Sequence, residues 1–219
     1  MRILIVAATA IEIAPLVARL SEISERGPRV TRYAHAAHAV DVLITGVGMV
    51  ATATWCSRVL ATSRYDVALN FGMCGSFDQA IRPGDVVHVV TDRIAELGAE
   101  DGDAFLSIEE LNLPGEHEFT NVDPPANAAL ARLPTVGGIT VNTVHGNTRS
   151  IAAVTERFKP QVESMEGAAF MQACLIHEVA FAQVRAVSNV VERRDRDAWK
   201  LADAIGVLGT TALSILDHA

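Results

Sequence analysis

Two carboxylates and one carboxamide, Glu12, Glu166 and Asn189, stand where the chain passes out of apolar, β-branched runs. An ionised carboxylate only accepts hydrogen bonds, whereas an amide both donates and accepts. A group of this kind suits polar, proton-handling chemistry on a small molecule. Each residue also has an ordinary structural explanation. Glu12 favours a helix N-terminus through the macrodipole, Glu166 can cap a helix, and Asn189 suits a turn. Cys74 has no evident activating base nearby in sequence and reads as a small packing residue.

The elements that must position these side chains alternate between strand and helix. Ile3-Leu4-Ile5-Val6 is a run suited to a strand buried on both faces. Ile11 to Leu20 reads as a helix, with Pro15 tolerable only in its first turn. Further strands are read at Val40 to Thr45, Asp66 to Asn70, Asp85 to Thr91, Gly138 to Val144, Val162 to Met165 and Ala180 to Val187. Helices are read at Met49 to Leu60, Ser150 to Phe158, Gly167 to His177 and Asp197 to Asp217. Gly72-Met73-Cys74-Gly75 reads as a glycine-rich turn. Asp92 to Asn127, with little periodicity, reads as a variable excursion carrying at most short helices. The alternation predicts one α/β domain over 1–219, with a central mainly parallel mixed sheet flanked by helices. Ligands in such sheets bind beyond the carboxyl ends of the strands. That rule selects Gly46 to Gly48, Asn70 to Gly75, Val144 to Asn147, Ser164 to Glu166 and Ser188-Asn189.

The 219 residues are half hydrophobic and carry a formal net charge of −8. This acidity argues against wrapping nucleic acid, which needs clustered Lys and Arg, but leaves room for a small anion held by a few local cations. Cys56, Cys74 and Cys174 are odd in number and lack zinc spacing, so a reduced, cytoplasmic setting and no metal are expected. The apolar start is too short for a signal core, and no apolar run is long enough to span a bilayer. Gly46-Val47-Gly48-Met49-Val50-Ala51 matches the dinucleotide fingerprint, but a strand and a helix precede it. Asp66 also lies at the wrong end of its strand for the ribose acid. A tight turn into a helix is the better reading.

Five blocks in order then carry a resemblance across most of the chain. They are Thr45-Gly46-Val47-Gly48-Met49-Val50, Asn70-Phe71-Gly72-Met73-Cys74-Gly75, Gly84-Asp85-Val86-Val87, Glu163-Ser164-Met165-Glu166-Gly167-Ala168-Ala169 and Arg185-Ala186-Val187-Ser188-Asn189. Together they resemble the nucleoside phosphorylase / methylthioadenosine nucleosidase family. The last two blocks, with Val190 to Trp199, look most like the branch that hydrolyses futalosine in menaquinone biosynthesis.

The resemblance implies an N-ribosyl hydrolase with a nucleoside-phosphorylase-like fold and no cofactor, forming a homo-oligomer that is a dimer or a multiple of one. Glu166 would accept from the ribose 2′ and 3′ hydroxyls beside a cation-like sugar, with Met165 as an apolar wall. Glu12 would orient and deprotonate water, and would repel a phosphate. Asn189 replaces the Asp usual in methylthioadenosine nucleosidases. Hypoxanthine presents acceptors at N7 and O6, to which an amide donates and an ionised Asp cannot. Ser188, Gly75, Cys74, Phe71, Asn147 and Thr148 are expected around the base, although His145-Gly146-Asn147-Thr148 departs from the nucleosidase pattern. Arg193, Arg194, Arg196 and Trp199 are candidates for the benzoate-bearing 5′ chain, with Phe71 and Phe119 as alternative walls. Competing readings are a purine nucleoside phosphorylase, a methylthioadenosine-type nucleosidase and a non-catalytic nucleoside-binding protein.

Overall fold

A computed structural model describes residues 1–219. Strand β1 (Arg2–Ala7) runs through the middle, buried from Ile3 onward, because its alternate side chains serve two cores. Ile3, Ile5 and Ala7 join a core with α1 (Ala10–Val17) and α5 (Leu201–Asp217). Leu4 and Val6 join the other, with α2 (Met49–Thr62) and α4 (Gly167–Ile176). Helices therefore cover both faces of the sheet.

The remaining strands are β2 (Ser21–Gly27), β3 (Val30–His35), β4 (His38–Ile44), β5 (Val67–Ser76), β6 (Val86–Ile94), β7 (Gly98–Asp101), β8 (Ala104–Ser107), β9 (Glu118–Thr120), β10 (Thr135–Thr140), β11 (Val162–Ser164) and β12 (Phe181–Val190), with α3 at Thr148–Phe158. The main sheet runs β11-β10-β6-β12-β5-β1-β4-β3-β2 and is mixed. It is parallel at its centre, where β1 pairs β4 and β5 and β5 pairs β12. It is antiparallel at β12–β6 and in the β2–β3–β4 meander. One edge of β5 pairs with β1 from Val67 to Asn70 and with β11 at Gly75 and Ser76. The sheet thus curls so that β5, β12, β6, β10 and β11 close on themselves. Between the two pairings, Phe71 to Cys74 has no strand partner on that edge, and the cleft described below opens there.

Several sequence-based expectations are corrected. Gly72 to Gly75 is not a turn: it continues β5, buttressed on its other edge by β12. The excursion from 92 to 127 holds no α-helix. It begins inside β6, with Asp92 almost wholly buried, and continues through the β7–β8 hairpin to β9, which pairs back on β6. Residues 21–35 form the β2–β3 hairpin, unread in the sequence because all seven β2 residues are exposed and show no apolar alternation. Strand β10 lies about the same region as expected but starts at Thr135 and ends at Thr140. Pro15 lies in the second turn of α1, where its ring lies against α5: a Cβ on Gly209 would come within 2.6 Å of the Pro15 Cβ. No helix is long and apolar enough to cross a membrane.

Candidate active site

The carboxyl end of β1 delivers Thr9 and Glu12 into the gap beside β5. Thr9 caps α1 in a capping box with Glu12. Glu12 Oε2 accepts from the Thr9 backbone N–H at 2.9 Å and the Thr9 hydroxyl at 2.8 Å, while Oε1 accepts from Met73 N–H at 3.3 Å. These bonds fill three of the roughly four acceptor positions of a carboxylate, leaving one on Oε1. The side chain is buried and locked in place. The Thr9-Ala10-Ile11-Glu12 pattern is a readable capping-box signature, and it could have located Thr9 from sequence.

Glu166 stands between β11 and α4. Its Oε1 accepts from Gly48 N–H at 2.9 Å, leaving Oε2 without a protein side-chain partner. The two glycines before α2 have φ of +89° and +99°, a region that disfavours other residues. The turn that mimics a dinucleotide fingerprint therefore aims a helix-start N–H at a carboxylate of the protein itself. Burial pushes the Glu166 carboxyl above its ordinary range and Glu12 adds to the rise; the Arg185 guanidinium and the Gly48 N–H oppose it.

Asn189 is placed by a β-bulge. The pairing of β12 with β5 shifts register between Val187 and Asn189, which re-aims this end of the strand. The Ser188 hydroxyl donates to Asn189 Oδ1 at 2.8 Å, and Asn189 Nδ2 donates to the Val190 carbonyl at 2.9 Å. Turning the amide over would set two oxygens against each other at Val190. The group therefore keeps one N–H free. A Cβ on Gly75 would lie 3.2 Å from Asn189 Nδ2 and 2.8 Å from a Val191 methyl, so glycine is needed there.

These parts line one cleft, with about 680 Å³ of open space, together with Val47, Cys74, Val144, Met165 and Trp199. That size suits a small-molecule ligand. Its charged lining residues are Glu12, Glu163 and Glu166, with no Lys or Arg. Glu163 is tied down by His145, which donates its backbone N–H at 3.1 Å and places Nδ1 at 2.7 Å. The Cys74 thiol is pushed up to about 12 by burial and is no nucleophile at neutral pH.

Of the other expected site residues, Ser188, Gly75, Cys74, Met165 and Trp199 line the cleft, and four do not. Phe71 is fully buried in the α1/α5 core, because its place on β5 points it away from the gap. Asn147 caps α3, accepting from Ser150 N–H at 3.0 Å, and Thr148 is exposed beside it. Arg193 is exposed, and the Arg194 guanidinium lies 5.1 Å from the ring centroid of Trp199, which lines the cleft. The alternative wall Phe119 is also core.

Sequence reasoning gave no role to Arg185, the largest fully buried side chain. Its Nη2 donates to Asn70 Oδ1, and Asn70 Nδ2 in turn donates to the Val6 carbonyl at 3.0 Å. A Cβ on Gly72 would lie 2.9 Å from Arg185 Nη1 and 3.3 Å from Glu12 Oε1, so the glycine lets the guanidinium sit behind the cleft's carboxylates. Asp92 was also missed. It accepts from Thr140 at 2.8 Å and Gln183 at 2.9 Å, and the Thr140 hydroxyl accepts from Ala168 N–H at 2.8 Å in the first turn of α4. This network underpins the helix start that carries Glu166.

The chain is similar in sequence and in fold to several known proteins. Futalosine hydrolase of Thermus thermophilus is 33% identical over 180 residues, 80% of each chain. The solved structure of a 5′-methylthioadenosine/S-adenosylhomocysteine nucleosidase from Colwellia psychrerythraea, in complex with adenine, superposes with a TM-score of 0.80 at 22% identity, covering 100% of this chain and 95% of that one. The native structure of futalosine hydrolase from Helicobacter pylori superposes with a TM-score of 0.84 at 16% identity, covering 100% and 98%. The Phosphorylase superfamily pattern matches residues 2–217, and the chain belongs to that superfamily.

Proposed function

We propose that this protein is an N-ribosyl hydrolase that cleaves futalosine with water, giving hypoxanthine and dehypoxanthine futalosine, a step of menaquinone biosynthesis. The observation that carries the choice of hydrolysis is the charged lining of the cleft: three carboxylates and no Lys or Arg. A phosphate nucleophile would be repelled there, whereas water is neutral and needs a base. The relatedness to futalosine hydrolase supports the substrate.

Cleavage of the bond from ribose C1′ to purine N9 passes through a cation-like sugar. Glu166 Oε2, which has no side-chain donor, accepts from the ribose 2′ and 3′ hydroxyls, and its charge favours the developing cation. Glu12, held by Thr9 and Met73, uses its remaining acceptor position to orient water and take its proton. The free N–H of Asn189 donates to N7 or O6 of hypoxanthine and relieves charge on the leaving base. Met165 forms the apolar wall under the sugar. The carboxylate of the 5′ chain reaches the mouth, where Arg194 lies over Trp199. A homo-oligomer, a dimer or a multiple of one, fits the apolar Ile11, Val47 and Val50 exposed beside the cleft; light scattering measures its mass.

Futalosine, inosine and methylthioadenosine assayed side by side without phosphate test the reading. Release of hypoxanthine from futalosine is expected to be fastest. Preference for methylthioadenosine would overturn the substrate assignment, and absence of turnover on all three would favour a binding protein.

A further inference from the structure

Away from the cleft, the β2–β3 hairpin and α2 enclose a second cavity with about 580 Å³ of open space, lined by Arg26, Trp55, Arg58, Tyr65 and Asp41 among others. Asp41 has no exposed surface. Its Oδ1 accepts from Arg32 Nε at 2.7 Å. Four donors converge on its Oδ2: Arg32 Nη2 and the Tyr65 hydroxyl, each at 2.8 Å, Arg26 Nη1 at 3.2 Å and Arg2 Nη2 at 3.3 Å. A carboxylate oxygen has two lone pairs. The two short bonds fill them, so Arg26 and Arg2 are poorly served. The Arg2 Nε is buried with no partner at all. Arg58 pairs with no carboxylate; it lies 5.4 Å from the Trp55 ring centroid, and Arg29 lies 5.2 Å from the same ring.

Three guanidiniums, Arg2, Arg26 and Arg32, thus converge on one saturated carboxylate, and a fourth, Arg58, lines the same cavity without a carboxylate, in a chain whose formal net charge is −8. Holding like charges together is costly unless a counter-anion completes the cluster. The geometry points to a second, non-catalytic anion site in this cavity, taking a phosphate group, free or as a small phosphate monoester, between Arg26 and Arg58. A phosphate carries more charge and more acceptor oxygens than a monocarboxylate, and guanidinium forks match it. The Trp55 ring is already engaged by two guanidiniums, so the site reads the anion rather than an aromatic base.

The test is calorimetric titration of inorganic phosphate, and separately of glycerol phosphate, into the whole protein at constant ionic strength, with and without saturating hypoxanthine. One saturable site per chain is expected, indifferent to hypoxanthine. Binding should weaken about tenfold or more in Arg58→Gln, the loss expected for one charge-assisted hydrogen bond, while base release proceeds at the wild-type rate. Arg26→Gln should act in the same direction. Binding of both ligands supports recognition of the phosphate group, and binding of inorganic phosphate alone supports a free-anion site. Absence of saturable binding, binding as tight as wild type in both variants, or displacement by hypoxanthine would overturn the proposal.

Discussion

At the cleft, each candidate side chain is held by groups that leave one hydrogen-bonding option open. Ser188 occupies the Asn189 oxygen and leaves an N–H; Gly48 occupies one Glu166 oxygen and leaves the other. If Asn189 meets the base as proposed, Asn189→Asp replaces the donor with an acceptor facing N7 and O6. Mispairing at such a site costs about 1–3 kcal/mol, so turnover of 6-oxopurine nucleosides should fall about tenfold to a hundredfold. Steady-state kinetics on futalosine check this, and an undiminished kcat/KM would mean that Asn189 does not meet the base. In its proposed role Glu166 must be ionised to accept from two ribose hydroxyls, and its carboxyl is raised by burial. The acid limb of the pH–rate profile should therefore lie above the ordinary carboxylate range and vanish in Glu166→Gln along with most activity. A raised carboxyl favours folding at low pH, and that contribution is lost as pH rises through the folded value. Glu166→Gln should thus melt higher than wild type at neutral pH. That Glu12, Glu166 and Asn189 gather at the carboxyl-end edge of the sheet was legible in the sequence, whereas their roles there came only from the family resemblance. Arg185 was not, since its role depends on Gly72 lacking a side chain on a neighbouring strand.

The start of α4 rests on a packing condition that spans four elements. A Cβ on Gly167 would fall 2.0 Å from Asp92 Oδ2 and 2.2 Å from Gln183 Nε2. Both partners are buried, so Gly167→Ala must displace either the Asp92–Gln183 pair or the helix that carries Glu166. Overpacking of this kind costs typically about 1–3 kcal/mol. Urea unfolding should show that loss, with a matching fall in kcat; unchanged stability would mean that α4 has slack. Asp92 itself is pushed up to about 6 by burial, against the hydrogen bonds from Gln183 and Thr140 and the charge of Arg185. Because its folded value exceeds the unfolded one near 3.8, its favourable contribution is full below pH about 3.8 and is lost as pH rises through about 6. Asp92→Asn should remove that slope, so the stability of the variant relative to wild type rises from about pH 4 to about pH 6, the interval spanned by the two values. A constant difference across the interval would show that Asp92 does not titrate there. None of this was readable in sequence, where Asp92 marked the start of a loop-like stretch. Its partners lie on β10 and β12, distant in the chain.

Across the whole molecule, the alternation of strands and helices was legible because buried parallel strands leave continuous apolar runs such as Ile3 to Val6. The closure of β5 onto β11 was not, because a three-residue strand shows no periodicity. Yet that closure creates the gap beside β5 and collects Glu12, Glu163 and Glu166 into a cleft lined by no Lys or Arg. The separation of charge is molecular in scale: carboxylates line the cleft, and guanidiniums cluster behind α2. A cleft lined in this way is proposed to use water as the nucleophile. Initial rates of hypoxanthine release from saturating futalosine, measured with and without phosphate while following product mass, test it most directly. Equal rates and a product with a free hydroxyl at C1′ are expected. A rate that depends on phosphate, with a sugar 1-phosphate as product, would contradict it.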